Sequence, residues 1–166
     1  MKLHIGCGKQ YREGWVNVDI NPKLKLDVCH DCDNPWPWPD NSVDEIYCYH
    51  VLEHCNNYLF VIDEMWRVCK HNAIVKIGVP YISSSQYNMV NPYHKNYFNE
   101  HSFRFFDSND LKGSANENTK AEFITESVSL TYFDEWKDKT EEEKSYALRH
   151  YWNVARKIDF ILRAKK

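Results

Sequence analysis

Gly6-Cys7-Gly8 closes the stretch Leu3-His4-Ile5, and Asp19 lies near the end of the next apolar stretch, residues 15–20. Glycines at a strand end let the backbone approach a ligand with no Cβ in the way. An acid at the end of the following parallel strand can accept from the two hydroxyls of a ribose. A tight turn with a surface acid beside it has the same pattern, so both readings stand on these residues alone. A dinucleotide site would add a third glycine, a phosphate-binding helix and an acid about 20 residues on. None of these is present, because residues 9–14 are too few for a crossover helix, which brings such a connection to about a dozen residues. The pattern fits a nucleoside without phosphates.

The histidines and cysteines offer further chemistry. His50-Val51-Leu52-Glu53-His54 has the H-x-x-E-H form of one zinc-protease class. That chemistry needs a long helix around the motif and a third ligand far downstream, whereas here the motif follows a strand pattern. His54 reads instead as a cap or a core histidine, and no metal ligand is assigned. Cys29 and Cys32 have C-x-x-C spacing without a second pair, which favours buried thiols over zinc or redox chemistry. His94, with Tyr93, Tyr97 and Phe98 nearby, belongs to a loop expected over the pocket or simply solvated. Imidazole titrates near neutral pH, which makes His50 and His94 the candidate general bases.

These residues need a frame. Short strands are expected at 3–5, 15–20, 26–30 and 43–51, with the proline-punctuated segment 34–42 as a turn. Leu59, Ile62, Trp66 and Cys69 recur at helical spacing, with Asn56 or Asn57 as cap and residues 70–72 at the end. Residues 73–80 suit a strand buried on both faces. Residues 123–133 and 158–166 read as further strands. Between them Thr140-x-x-Glu143 offers a capping box for a helix carrying Leu148, Tyr151, Trp152 and Ala155 on one face. The class is α/β, one domain over residues 1–166 with a sheet of about seven strands.

Composition narrows the partners. Of 166 residues 43% are hydrophobic and 15% aromatic, which is a globular makeup, and the net charge of −3 with scattered basic residues leaves nucleic acid unsupported. No apolar run approaches the ~18 residues of a membrane span, and no signal peptide opens the chain. A cytoplasmic location is expected, with the six cysteines as reduced thiols.

Five blocks, LHIGCG, GWVNVDI, DVCHDCDNPWPWPDNSVDEIYCYHVLEH, RVCKHNAIVKIGVP and NPYHKNYFNEHSFRFFD, follow one another in an order and spacing that resembles the short class I S-adenosylmethionine-dependent methyltransferases. The resemblance covers about residues 3–107 and fades beyond. It implies a Rossmann-like sheet of about seven mostly parallel strands with a reduced helix complement, and S-adenosylmethionine as cofactor. It places Gly6, Cys7 and Gly8 along the methionine moiety, Asp19 at the ribose and Ile20 on the adenine face. Asp31 would accept from the adenine amine, with the backbone N–H of Cys32 close to the ring. Tyr49 and His50 would open towards the sulfonium and the acceptor. Two departures stand out. His4 replaces the acid that usually precedes the first glycine by two positions, and His71-Asn72-Ala73 replaces a Pro-Gly-Gly turn, although Asn tolerates the left-handed backbone such a turn requires.

Methyl transfer from a sulfonium is an in-line displacement in which the protein aligns donor with acceptor and excludes water. A small-molecule acceptor is expected, a sugar or glycan precursor by analogy with compact relatives. Tyr81, Tyr87, Tyr93 and Tyr97 could stack on a ring-shaped acceptor or belong to the core. The alternatives are a non-catalytic nucleoside-binding module and a zinc hydrolase using His50 and His54. Connections too short for helices leave one sheet face bare. That face, expected to be apolar, would be covered by Trp15, Trp36, Trp38 and the helix near Leu148, or by a second copy in a homodimer.

Overall fold

Alternation along the strands decides the two faces of the sheet. The computed structural model describes residues 1–115 and 118–166. In β1 (Lys2–Ile5), β2 (Val16–Asp19) and β4 (Val43–Tyr49), Leu3 pairs with Val16 and Ile46, and Ile5 with Val18 and Cys48. Paired residues share a face. β5 (Cys69–Pro80) and β7 (Ala155–Ala164) continue that face with Val75, Ile77, Phe160 and Leu162, all buried. β3 (Val28–Cys29) and β6 (Phe123–Tyr132) form the edges of a sheet ordered β3-β2-β1-β4-β5-β7-β6. β7 runs antiparallel to β5 and β6, and the other pairs are parallel. The expected mostly parallel α/β sheet of seven strands is the observed one. β3 is shorter than the expected 26–30: the Asp27 N–H still reaches the Asn17 carbonyl at 2.8 Å, but the Asn17 N–H and side-chain amide go to the Asp27 carboxylate, at 2.7 and 3.0 Å, in place of a backbone carbonyl.

The apolar face is covered in an economical way. α1 (Tyr58–Val68) is capped by Asn57, whose side chain accepts from the Phe60 N–H, and it buries Val61, Ile62, Met65 and Val68. Leu59, placed on the core stripe by spacing, is exposed. Two neighbouring stripes satisfy the same periodicity, and the one containing Met65 and Val68 faces the sheet. Residues 70–72 continue β5 rather than ending the helix, with Asn72 at φ +66° in the expected left-handed conformation. Trp36 and Trp38 join the same core in place of helices. Glu64 of α1 accepts from the Trp36 N–H at 2.7 Å, and Arg67 donates to the Trp36 and Trp38 carbonyls and to Asp40. Phe98, Phe103 and Phe106 extend the core, with Phe103 against Phe160 at 4.6 Å.

After the short helix α2 (Asp134–Lys137), α3 (Glu141–His150) begins with the full Thr140–Glu143 capping box. It ends earlier than the spacing suggests. Tyr151 and Trp152 lie beyond it, exposed, and Asn153 at φ +58° turns the chain so that Ala155 opens β7.

The opposite face corrects an expectation, since it is polar rather than apolar. Register places His4, Asn17, Tyr47, Lys76 and Asp159 on this face. Glu45 bridges Lys2 and Lys76 at 2.8 Å each. Tyr47 and Tyr49 stack with centroids 4.0 Å apart, and the Arg12 guanidinium lies 3.6 Å above Tyr47. Trp15 packs here, edge-on to Tyr47, not with the other tryptophans. A sheet with one solvated face dresses it with polar groups, so burial of apolar surface gives no reason for a second copy. Among the described residues no helix is long and apolar enough to cross a membrane.

Gly78 makes the tyrosine stack possible. A Cβ there would lie 2.4 Å from the Tyr49 ring. We expect Gly78→Ala to destabilise the fold by about 1–3 kcal/mol through overpacking. Urea unfolding should show most of that loss recovered in Gly78→Ala/Tyr49→Ala relative to Tyr49→Ala alone.

Candidate functional site

A cavity of about 830 Å³ opens beside the C-terminal ends of β1, β2 and β4. Open parallel sheets place their ligands there, because the strand ends splay and backbone groups are free. Gly6, Cys7, Gly8, Asp19, Ile20, Asp31, Cys32, Tyr49 and His50 all line it. Of the candidate residues, His94 alone does not. Tyr81 is in the core, whereas Tyr87, Tyr93 and Tyr97 are exposed and none of the four lines the cavity. The aromatic wall is made by Tyr47 and Tyr49.

The two glycines do different work. Both have positive φ, which glycine adopts without strain. At Gly6 a Cβ would meet the Val51 side chain at 2.2 Å, so that glycine admits a protein side chain rather than a ligand. At Gly8 the space is open. Asp19 ties this turn to the next strand: Oδ2 accepts from the Gly8 N–H at 2.9 Å and Oδ1 from the Asn21 N–H at 2.9 Å. A carboxylate offers about four lone-pair sites, and these two bonds leave capacity towards the cavity. Asp31 likewise accepts one bond, from the Asp33 N–H at 3.0 Å.

His4 is buried at the cavity wall, and its tautomer follows from its partner. The Asn17 amide nitrogen donates to the carbonyls of Arg12 and Trp15 and to Asp27, which fixes its oxygen as the acceptor facing His4 Nδ1 at 3.2 Å. His4 therefore carries its proton on Nδ1 and leaves Nε2 as an acceptor. Burial holds its pKa below the ordinary histidine value, against the Asn17 hydrogen bond, which raises it.

The fourth strand ends in strain. His50 has φ +57°, uncommon for a residue with a side chain and typical of functional turns. Its Nδ1 lies 3.1 Å from Glu53 Oε1. Glu53 is buried, and its other oxygen has no partner. The segment from 50 to 54 is a turn, not the helix a zinc protease requires. Glu53 is the residue that spacing alone missed, although it stands in the quoted HVLEH. His54 is neither cap nor core: it lines the cavity, with the His94 ring edge-on at 4.6 Å behind it. Burial, and then the neighbouring His54, hold the His94 pKa below the ordinary value. The cysteines differ from expectation too, since Cys29 is exposed and Cys32 meets Cys55 with sulfurs 3.7 Å apart.

Residues 3–77 match the family model described as a methyltransferase domain. No match is found among curated proteins. A SAM-dependent methyltransferase from Archaeoglobus fulgidus is similar at TM-score 0.66 and 18% identity, over 98% of this chain and 85% of that one. One from Mesorhizobium loti is similar at TM-score 0.63 and 11% identity, over 98% and 90%. The [4+2]-cyclase SpnF is similar at TM-score 0.61 and 12% identity, over 99% and 74%. The likeness in fold thus runs past residue 107, where the sequence resemblance fades.

His4 gives a pH signature. With the native pKa depressed, the unfolded chain binds the proton more tightly, so stability is full above the ordinary value of 6.5 and is lost as pH falls through the window beneath it. Urea midpoints measured between pH about 7.5 and about 5.5 should fall less steeply in His4→Gln than in the wild type.

Proposed function

We propose that this chain is a class I S-adenosylmethionine-dependent methyltransferase, a reading supported by its methyltransferase-domain match over residues 3–77 and by its fold, that it binds the cofactor across the ends of β1 and β2 and that it methylates a small hydroxylated ring compound. The carrying observation is Asp19, which holds Gly8 through one oxygen while lining the cavity. Its remaining lone pairs take the ribose hydroxyls, and the Gly6–Gly8 turn runs along the methionine moiety. Ile20 packs on the adenine. Asp31 takes the adenine amine through the oxygen left free by Asp33, beside the Cys32 N–H. His4 stands at the position of the missing acid. As an Nε2 acceptor it takes an N–H of the cofactor's ammonium, a role in which a neutral ring serves and a protonated one repels.

The bound cofactor supplies an activated methyl group, and the chain's own residues orient the acceptor and move one proton. His50 takes that proton. Glu53 receives its Nδ1–H, which leaves Nε2 as the basic atom, and Glu53 stabilises the imidazolium that forms. The acceptor's hydroxyl would give its proton to His50 as it takes the methyl group that the bound cofactor would supply. His94 does not line the cavity, and its Nδ1 is engaged by Asn88, which favours His50 as the base. A small hydroxylated acceptor such as a sugar or glycan precursor is supported by Lys157, which stands over Tyr49 at the cavity wall and offers a donor to a hydroxyl; the Tyr47 ring already has Tyr49 on one face and Arg12 on the other.

Calorimetric titration of S-adenosylhomocysteine is the test. We expect micromolar binding to the wild type and a loss of about tenfold or more in Asp19→Ala, the scale of a charge-assisted hydrogen bond. His50→Ala should keep that binding and lower methylation of a panel of free sugars and glycosides by about 10²–10⁴, the usual share of a general base. Binding with no methylation of any acceptor would make the chain a cofactor-binding module. No binding to folded wild type would sink the reading.

A further inference from the structure

Beside the cavity, three side chains from two loops converge without an evident reason. A carboxylate oxygen of Glu53 and one ring nitrogen each of His54 and His94 all lie within 4.8 Å of one another. Glu53 is about 1% exposed, and the oxygen that His50 does not engage is buried with no partner. A buried carboxylate oxygen left unpaired is costly, which calls for a cation or a donor at that point.

The histidines are prepared as ligands. Asn88, itself buried, gives its amide hydrogens to the carbonyls of Tyr81 and Ile82 and so turns its oxygen to His94 Nδ1 at 3.2 Å. His94 therefore holds a proton on Nδ1 and offers the Nε2 lone pair, the arrangement in which outer hydrogen bonds orient metal-ligating imidazoles. The two loops are also stitched together. The Glu53 carbonyl accepts from the N–H groups of Lys95 and Asn96, and the Asn96 amide donates to the carbonyls of Leu52 and Cys55 at 2.8 Å each. These bonds hold His94 against His54 whether or not anything is bound.

We propose that Glu53, His54 and His94 form a site for a divalent transition-metal ion of the zinc type, with its open coordination position towards the cavity. Two imidazoles and one carboxylate are a donor set that holds such an ion and leaves room for an outside oxygen. Ligand bonds of about 2.1 Å require the three atoms to close by roughly an ångström, within reach of side-chain torsions. His54 lines the cavity, so the open position takes an oxygen of the acceptor and makes its hydroxyl more acidic next to His50. That last assignment rests on the methyltransferase reading; the metal site does not.

The full chain, stripped of metal by chelator and dialysed, is titrated with Zn²⁺ by calorimetry and with Co²⁺ by visible absorbance, with Mg²⁺ as control. We expect one equivalent of Zn²⁺ to bind, Co²⁺ bands without a sulfur charge-transfer band, and no response to Mg²⁺. Glu53→Gln and His94→Ala should each weaken Zn²⁺ binding by about tenfold or more. Should one fail to fold, as judged by its thermal transition, the other and His54→Gln decide. Absence of stoichiometric Zn²⁺ binding, or a thiolate band pointing to Cys32 and Cys55, would overturn the site. Failure of S-adenosylhomocysteine to bind a protein that takes up Zn²⁺ would overturn the function above and leave the metal site standing.

Discussion

Much of the architecture depends on the side-chain amide of Asn17. It is fully buried, and its hydrogen-bonding capacity is spent within the chain. Its oxygen accepts from the Arg12 N–H at 2.8 Å and from His4, while its nitrogen serves the carbonyls of Arg12 and Trp15 and the Asp27 carboxylate. A parallel connection this short has no helix to satisfy its backbone, and one amide does that work instead. Removing it would leave several buried donors and acceptors unpaired at once, each costing about 1–3 kcal/mol. The same amide sets the His4 tautomer, so the frame of the β1–β2 connection and the chemistry of the cavity wall have one origin.

Losing the early helices has a second consequence. A doubly covered parallel sheet needs apolar residues on both faces, but here only one face is apolar. α1 and the Trp36–Trp38 segment cover the β1–β4 side of that face, and the phenylalanines from 98 to 106 cover the β7 side. The other face is left to Arg12, the stacked tyrosines and lysine–glutamate pairs. Surface ion pairs add little stability, so their use there is chiefly to keep the bare face wetted. The cavity reaches onto this face through Tyr47, Tyr49 and Lys157, which a covering helix would have closed off. A small chain thereby keeps one side of its cavity open.

The β1–β2 side of this cavity was partly legible because it depends on local chemistry. The glycine turn and Asp19 are close in sequence and end neighbouring strands, so spacing brings them to one cavity, whereas Asp31 and Cys32 were reached through the resemblance to class I methyltransferases. The sheet was legible for the same reason, since alternation fixes faces residue by residue. The two stripes of α1 were not separable, because periodicity gives the spacing of a buried face without its phase. The polarity of the bare face was visible in Lys76, Lys157 and Asp159, but assigning them needed the register of β5 with β7. Glu53 was hidden by its own motif, which drew the reading to the histidines on either side.

The Glu53–His54–His94 cluster lay beyond sequence reading because it is made by a contact between distant loops. Nothing near Asn96 announces that its amide will span the carbonyls of Leu52 and Cys55, and nothing near Asn88 announces that it will orient His94. Those two asparagines do for the loops what Asn17 does for the strands: each replaces missing secondary structure with a side-chain amide that serves two backbone carbonyls. Such amides are direction-sensitive, since exchanging oxygen and nitrogen would set the amide oxygen against backbone carbonyl oxygens at each site. They therefore impose a proton arrangement on the imidazoles they touch. In this chain His4 and His94 both carry the proton on Nδ1 for that reason, and the nitrogen that each leaves as an acceptor is chosen by an asparagine.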